Sequence, residues 1–242
     1  MQPMRVLDLD MDFFLSGVCA LAPEGRRPAA AEAQPWTEGA VRRFLEEKCL
    51  LSRRHPLPGR IFSTHDEALW LWREQMEAGG LTPPFHLTHV DAHSDLGIGR
   101  PGPAFVLECV LARRPQERAD LEGYRAQRKL DEANYLLFAL AFRWISALDN
   151  VRNPHSRPDM PAQILREGPA GRAQALRLSS SLGRLMPQFD YGEPEVPYRP
   201  WATESFQAQA PYCLASLAIS PRYAPREADF IAGIFREYIR EL

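Results

Sequence analysis

The chain has 242 residues, 45% of them hydrophobic and 25% charged, which suffices to bury the core of one soluble domain or at most two small ones. Its net charge of −2 gives no reason to expect a nucleic-acid partner. No apolar run is long enough for a membrane span, and the four cysteines form no CxxC pair, so we expect neither membrane insertion nor structural zinc. Early carboxylates interrupt any signal-peptide core. We expect a cytoplasmic protein in which residues 1–242 form a single domain.

The first half of the chain begins with an alternating segment. Residues 5–14 alternate apolar and acidic side chains before an aromatic pair, which predicts a first strand. Residues 22–36 are rich in proline, alanine, glycine and charge, and predict an exposed loop. The elements that follow are, in order, a helix over residues 38–49 capped by Thr37, a short strand over 60–63, a helix from about residue 66 to Gly79-Gly80, and a strand over 85–90.

The second half continues the alternation of helices and strands. Its predicted elements are, in order, helices over residues 104–113 and 131–142, a strand over 144–151, a loop over 153–171, a short strand over 175–178, a loop over 186–201, a strand over 212–219 and a helix over 225–239. Residues 186–201 contain too much proline to predict regular structure. Because strands alternate with helices throughout, we expect a three-layer α/β/α domain with a mostly parallel sheet.

Three residues whose side chains can bind metal come soon after the strand predicted over residues 85–90. Asp91, His93 and Asp95 alternate, and on extended backbone alternate side chains share a face, so we expect them to converge on one point. Open α/β sheets place their sites at the carboxyl ends of buried strands, and a carboxylate–imidazole–carboxylate set suits a divalent cation. Each residue also has an ordinary interpretation, Asp95 as a helix cap and His93 as a loop histidine.

Three aspartates lie at every second position of the first predicted strand. Asp8, Asp10 and Asp12 would repel one another on one face unless a cation or a proton neutralised them, whereas an exposed edge strand would simply hold them in water. The apolar residues around them favour a strand that is covered on both sides, and therefore a metal site. The carboxyl end of the strand is the better position, so we predict Asp10 and Asp12 as ligands and Asp8 behind them.

Two histidines are candidates for the same site. His65 follows the strand predicted over residues 60–63, but Thr64 and Glu67 fit a helix-capping sequence, so a ligand and an ordinary histidine are equally good interpretations. His89 lies two residues before Asp91 and could bind metal or relay a proton. The remaining histidines are predicted to be loop residues: His55, His86 and His155.

The segment DAHSD at residues 91–95 resembles the DAHxD signature of the arginase and agmatinase ureohydrolases, whose paired aspartates follow this motif rather than precede it. Together with DLDMDFF (8–14), THDEA (64–68), HVDAHSD (89–95) and SPRYAP (220–225), it makes the chain resemble the UPF0489 family, whose bacterial members include peptide arginases. The resemblance implies an arginase-like domain with two Mn²⁺ ions. It makes Asp91 the bridging ligand, assigns His93 and Asp95 to separate ions, and completes the set with the further ligands His65, Asp10 and Asp12.

The resemblance also implies an activity, the hydrolysis of arginine side chains in a ribosomally made precursor peptide to ornithine and urea. A hydroxide that bridges both ions would attack the guanidinium carbon, because a bound cation lowers the pKa of water. We predict Asp91 and His89 as catalytic residues, with His89 protonating the leaving amine. An acid should also hold the cationic substrate, and the candidates in late loops are Glu204, Glu227 and Asp190, although acids at such positions are more commonly solvated surface residues.

Two other functions fit the same residues. A metal-dependent deacetylase acting on an acylated amine would share the fold and the metals and differ in its pocket lining. A non-catalytic peptide-binding protein would keep the fold alone. The proline-rich segments at residues 22–36, 153–171 and 186–201 could shape a groove for a peptide or form plain surface. The peptide substrate is therefore an expectation from the resemblance only.

Overall fold

The computed structural model describes residues 3–97, 102–167 and 173–242. Its strands are β1 (Arg5–Asp10), β2 (Leu57–Phe62), β3 (Phe85–Asp91), β4 (Ile145–Arg152), β5 (Leu165–Glu167), β6 (Ala173–Arg177), β7 (Glu195–Ala202), β8 (Leu214–Ala218) and β9 (Ile239–Glu241). Its α-helices are α1 (Glu38–Arg43), α2 (Ala68–Glu77), α3 (Leu121–Ala126), α4 (Tyr135–Ala141), α5 (Ser181–Leu185) and α6 (Phe230–Arg236). Two π-helical segments, Phe44–Lys48 and Val106–Val110, and several 3₁₀ turns supplement them.

The strands form one sheet in the order β5-β6-β7-β4-β3-β1-β8-β2-β9. The pairs from β7 through β4, β3, β1, β8 and β2 to β9 are parallel. At one edge of the sheet, β5 pairs antiparallel with β6, and β6 pairs antiparallel with β7. From β1 the chain passes to β2 on one side and then to β3 on the other. This change of direction leaves a crevice at the carboxyl end of β1, where α/β sheets bind ligands.

The sheet separates two hydrophobic cores. One core packs α2, α4 and the Val106–Val110 segment against the first face, with Trp72 and Phe138 fully buried. The other packs α1 and α6 against the second face, with Val41 and Phe235 fully buried. All residues of β3 are buried, as expected for a central strand covered on both faces. The fold is therefore the predicted three-layer α/β/α arrangement around a mostly parallel sheet. Within the described ranges, no helix has both the length and the apolar character that crossing a membrane requires.

Most predicted elements are present, and the differences have physical reasons. The strand predicted over residues 5–14 ends at Asp10, because the Asp10 carboxylate accepts a hydrogen bond from the Asp12 amide and starts a 3₁₀ turn at Met11–Phe14. The loop predicted over residues 186–201 is wrong in its last part, which forms β7. Pro197 pairs with β6 and Pro200 with β4. Neither proline has a second partner strand among the described residues, and there the missing N–H donor costs no ladder hydrogen bond.

Four short elements were not predicted: α3, β5, α5 and β9. His86, predicted in a loop, lies in β3 and is buried. The loop predicted over residues 153–171 is interrupted by β5 at Leu165–Glu167, and the part of it after residue 167 lies outside the described residues.

Candidate metal centre

The predicted ligands meet at the carboxyl ends of neighbouring strands. Asp10 ends β1, Asp91 ends β3, and His65 follows β2 by three residues. These strands are close neighbours in the order β3-β1-β8-β2, so parallel pairing places their ends at one edge of the sheet. The edge surrounds a cavity of about 160 Å³ lined by Asp10, His65, Asp91, His93, Ser94, Asp95, Glu132, Ala133, Asp159, Ser220 and Tyr223.

A first cation-binding group surrounds the imidazole of His65. Its Nδ1 atom lies 3.2 Å from Asp10 Oδ2, 3.0 Å from Asp91 Oδ2 and 3.1 Å from Asp95 Oδ2. His89 Nε2 approaches the same place, 3.4 Å from Asp91 Oδ2. One ligand atom each from His65, His89, Asp91 and Asp95 lie within 4.8 Å of one another, and all four residues are buried. This group could hold a metal ion.

A second group lies on the other side of Asp91. His93 Nδ1 is 2.9 Å from Asp12 Oδ2 and 3.6 Å from Asp91 Oδ1. Asp12, Asp91 and His93 also place ligand atoms within 4.8 Å of one another and could hold an ion. The two oxygens of Asp91 thus face different groups, Oδ2 the first and Oδ1 the second.

The prediction that Asp91, His93 and Asp95 converge on one point is wrong. Strand β3 ends at Asp91, so His93 and Asp95 do not continue its extended backbone. Asp95 has φ of 52°, a left-handed conformation that turns its side chain toward His65, while His93 faces Asp12. The three residues therefore divide between two groups that share Asp91.

Bound cations would satisfy the nitrogen and oxygen atoms of these two groups better than hydrogen bonds within the protein do. Both ring nitrogens of His65 and Nε2 of His89 are buried without a hydrogen-bond partner among the described residues. In the part of the chain that is described, no lysine or arginine lines the cavity. Buried carboxylates and imidazole lone pairs that face one another need a proton or a metal ion between them.

The pKa values of Asp12, Asp95 and His93 reflect the same excess of negative charge in the site. Burial, with the neighbouring Asp10 and Asp91 charges, raises the pKa of Asp12 well above its ordinary value. Burial and Asp91 likewise raise the pKa of Asp95. Burial lowers the pKa of His93, but Asp12 and Asp91 outweigh it and raise that pKa to about 12. Without a metal ion the site must keep protons, and metal binding would release them.

Asp8 supports the site from behind. Its Oδ2 accepts a hydrogen bond from the Tyr135 hydroxyl at 2.6 Å and lies 3.3 Å from His65 Nε2, and its Oδ1 accepts from Ser216 at 2.6 Å. Asp8 does not line the cavity. Such a carboxylate behind a histidine orients the ring for metal binding.

His89 is enclosed rather than open to the cavity. Because the single Tyr135 hydroxyl proton is donated to Asp8, the 3.3 Å contact to His89 requires that Nδ1–H donates to the tyrosine oxygen. Burial lowers the pKa of His89 to about 4, so the ring is neutral and its Nε2 lone pair points at Asp91. This arrangement suits a metal ligand better than the predicted proton donor.

The acids predicted to bind substrate lie elsewhere. All three are exposed, and none of them lines the cavity: Glu204, Glu227 and Asp190. Glu132, which the sequence reasoning missed, does line it. Its only sequence signal is an acid at the start of the helix predicted over residues 131–142, which is ordinary at helix N-termini. Ser220 and Tyr223, both in the SPRYAP segment, also line the cavity, and Ser220 donates a hydrogen bond to Asp10.

Comparison of the sequence with known protein families and with curated proteins found no match.

Proposed function

We propose that the protein is a binuclear metal-dependent hydrolase that converts arginine side chains of a peptide to ornithine and releases urea. The observation that carries this proposal is the position of Asp91 between two groups of ligands, one on each carboxylate oxygen. A shared carboxylate is the usual way in which one site holds two cations close together. The specific reaction is taken from the resemblance of the DAHSD, DLDMDFF, THDEA and SPRYAP segments to peptide arginases.

Manganese is the metal that we propose, as two ions per chain. The donor set combines carboxylates with imidazoles and contains no thiolate, which suits a hard or borderline divalent cation. We propose that Asp10, His65, Asp91 and Asp95, with His89, hold one ion. Asp12, Asp91 and His93 would hold the other.

The residues around the cavity would orient the metal ligands, while the bound cations would activate water. When bound, two divalent cations would lower the pKa of a water so that hydroxide is available at neutral pH. Asp8, Tyr135 and Ser216 keep the ligands oriented through their hydrogen bonds. The bond between the guanidinium carbon and the side-chain nitrogen breaks, the oxygen of water leaves in urea, and both protons of that water end on the side-chain nitrogen, which becomes the ammonium of ornithine. His89 does not reach the cavity, so we assign it to the metal rather than to this proton transfer.

Two larger depressions beside the cavity support a substrate longer than a free amino acid. One, of about 370 Å³, shares His93 and Asp159 with the cavity. The other, of about 630 Å³, shares Glu132 with it. Because each depression shares lining residues with the cavity, an extended chain bound at the cavity could also contact either depression.

The test is co-expression of the protein with arginine-containing precursor peptides, followed by mass spectrometry. Each converted arginine should lose about 42 Da, the mass of CH₂N₂. Asp12→Asn serves as a control, because it removes a proposed ligand while keeping the size of the side chain. If manganese-loaded protein leaves every arginine intact and removes the acyl group from an acyl-lysine peptide instead, the protein is a deacetylase of the same fold.

A further inference from the structure

The cavity has one carboxylate that belongs to neither cation group and has no hydrogen-bond partner among the described residues. Five acids line it, and three of them, Asp10, Asp91 and Asp95, face His65. Asp159 is already paired, because its Oδ1 accepts from Arg152 at 2.7 Å and its Oδ2 accepts from the Ser94 amide at 2.8 Å. Glu132 is the acid that remains.

No hydrogen bond to the Glu132 carboxylate is formed within the described part of the chain. The closest cation, Arg222 Nη1, lies 4.0 Å from Glu132 Oε1, beyond hydrogen-bonding distance. The Arg222 Nε atom donates instead to the Ala22 carbonyl at 3.0 Å. Only 16% of the Glu132 side chain is exposed, so water compensates its charge poorly. Burial and the nearby Asp10 charge accordingly raise the pKa of Glu132 to about 7.

The backbone that carries Glu132 is held firmly. Asp131 Oδ1 accepts from the Ala133 amide at 3.1 Å, and Asn134 Oδ1 accepts from the Asp131 amide at 3.0 Å. The Gly97 amide donates to the Ala133 carbonyl at 2.8 Å, which ties this turn to the segment that follows Asp95. Glu132 is therefore fixed relative to the proposed ligands, as a residue that positions a substrate should be.

We infer that Glu132 is the specificity-determining residue that receives the positive charge of the substrate side chain. The inference rests on the proposed function and adds to it the charge class of the substrate. A guanidinium between Glu132 and the metal centre would satisfy the carboxylate with a charge-assisted hydrogen bond. A neutral acylated amine would leave the Glu132 carboxylate buried without a partner. The same residue therefore argues against a deacetylase activity.

The test compares binding of two small probes to manganese-loaded protein by calorimetry. α-N-acetyl-lysine methylamide carries a positive side chain that the proposed reaction cannot cleave, and α-N-acetyl-norleucine methylamide is its neutral counterpart. We expect wild-type protein to prefer the lysine probe by at least about tenfold, and Glu132→Gln to reduce that preference to about twofold or less. Glu24→Gln is the matched control, because Glu24 is an exposed acid of the neighbouring depression and lies outside the cavity.

Kinetics on an arginine peptide give a second measurement. Glu132→Gln should raise KM about tenfold and leave kcat nearly unchanged, because the interaction is made in the bound substrate as well as in the transition state. A preference for the lysine probe that survives Glu132→Gln, or no preference in wild-type protein, overturns the inference. If no peptide releases urea but the preference is present and depends on Glu132, arginine hydrolysis fails while cation recognition stands.

Discussion

Strand β3 carries a polar cluster on each of its faces, and the two clusters differ in how their charges are balanced. On one face His89 and Asp91 belong to the candidate metal centre. On the other, His86 contacts Arg5 and Asp149. His86 and His89 are three residues apart, so their side chains lie on opposite sides of the sheet.

The protein's own cations balance the charge of the His86 cluster. Arg5 donates to His86 Nδ1 at 2.7 Å, and His86 Nε2 donates to Asp149 at 2.7 Å. Arg199 and Trp201 donate to the same carboxylate at 2.6 and 3.1 Å. Burial raises the pKa of Asp149, but hydrogen bonds from His86 and Trp201 and nearby positive charge outweigh it, and the net pKa is lowered.

At the metal centre the carboxylates have no such partners. In the described residues, no arginine or lysine donates to Asp10, Asp12, Asp91 or Asp95. Histidine ring nitrogens face them instead, and the carboxyl groups of Asp12 and Asp95 have raised pKa values. A buried polar cluster that the protein balances with its own arginines needs no ligand and loses stability when its carboxylate is removed, whereas one that it leaves unbalanced favours an external cation.

The largest expected effect follows from removing the carboxylate that both cation groups share. Asp91→Asn keeps the size of the side chain but removes its charge, so bound manganese should fall from about two ions per chain to nearly none. Urea release should fall by more than the roughly 10- to 100-fold that the loss of an outer-shell residue causes. Metal analysis of purified protein and a urea assay measure the two effects.

Asp149→Asn is the matched control on the opposite face of β3. It should leave the manganese content unchanged, because Asp149 touches none of the proposed ligands. It should lower the free energy of unfolding by about 3 kcal/mol, since it leaves Arg5, His86 and Arg199 facing one another without an anion. Loss of metal in Asp149→Asn, or full metal content in Asp91→Asn, would remove the distinction between the two clusters.

The parts of this site that are local in the chain were predictable, and those that depend on strand order were not. The DAHSD segment identified Asp91, His93 and Asp95, but the backbone turn at Asp95, and hence their division between two groups, is not visible in the residue types. Asp10 and His65 reach the same cavity only because β1 and β2 both flank β8. Glu132 arrives on a turn fixed by a hydrogen bond from Gly97, which no spacing rule indicates.

Similar limits explain the errors in the fold. Proline-rich composition argued against a strand over residues 195–202, yet β7 forms, and within the described part of the chain each of its prolines pairs with one neighbouring strand only. His86 was predicted to be a loop residue, although it falls within the strand predicted over residues 85–90. Its burial depends on Asp149 and Arg199, which come from β4 and β7, far along the chain.

A smaller effect should appear in the pH dependence of metal-free protein. Burial lowers the pKa of His65, but Asp8, Asp10 and Asp91 outweigh it and hold that pKa well above its ordinary value. From about pH 7 to about pH 8.5 the folded state therefore keeps a proton on His65 that the unfolded chain has lost, and stability falls by up to about 1.4 kcal/mol per pH unit. The raised pKa of His93 acts in the same direction.

Thermal unfolding in the presence of a chelator, compared with excess manganese, measures this dependence. Metal replaces the protons, so the difference between the two Tm values should grow with pH. His89, whose pKa is lowered to about 4, titrates in the unfolded chain near pH 6.5 and contributes only below this range. If the Tm of metal-free protein rises over the same pH range, the folded site does not keep protons that the unfolded chain has lost.

The smallest expected effect concerns the hydroxyl that links the two buried histidines of the first group. Tyr135→Phe removes the donor to Asp8 and the acceptor for His89 Nδ1–H, so both His65 and His89 lose orientation while the ring packing remains. Manganese affinity should fall about tenfold, as for other residues behind metal ligands. Tyr124→Phe is the matched control, because Tyr124 is equally buried in the same core and its hydroxyl has no hydrogen-bond partner among the described residues. Titration of metal-free protein with manganese separates the two variants. If they bind manganese equally well, Asp8 and Tyr135 only fill space, and the orientation of the histidines comes from strand and helix packing alone.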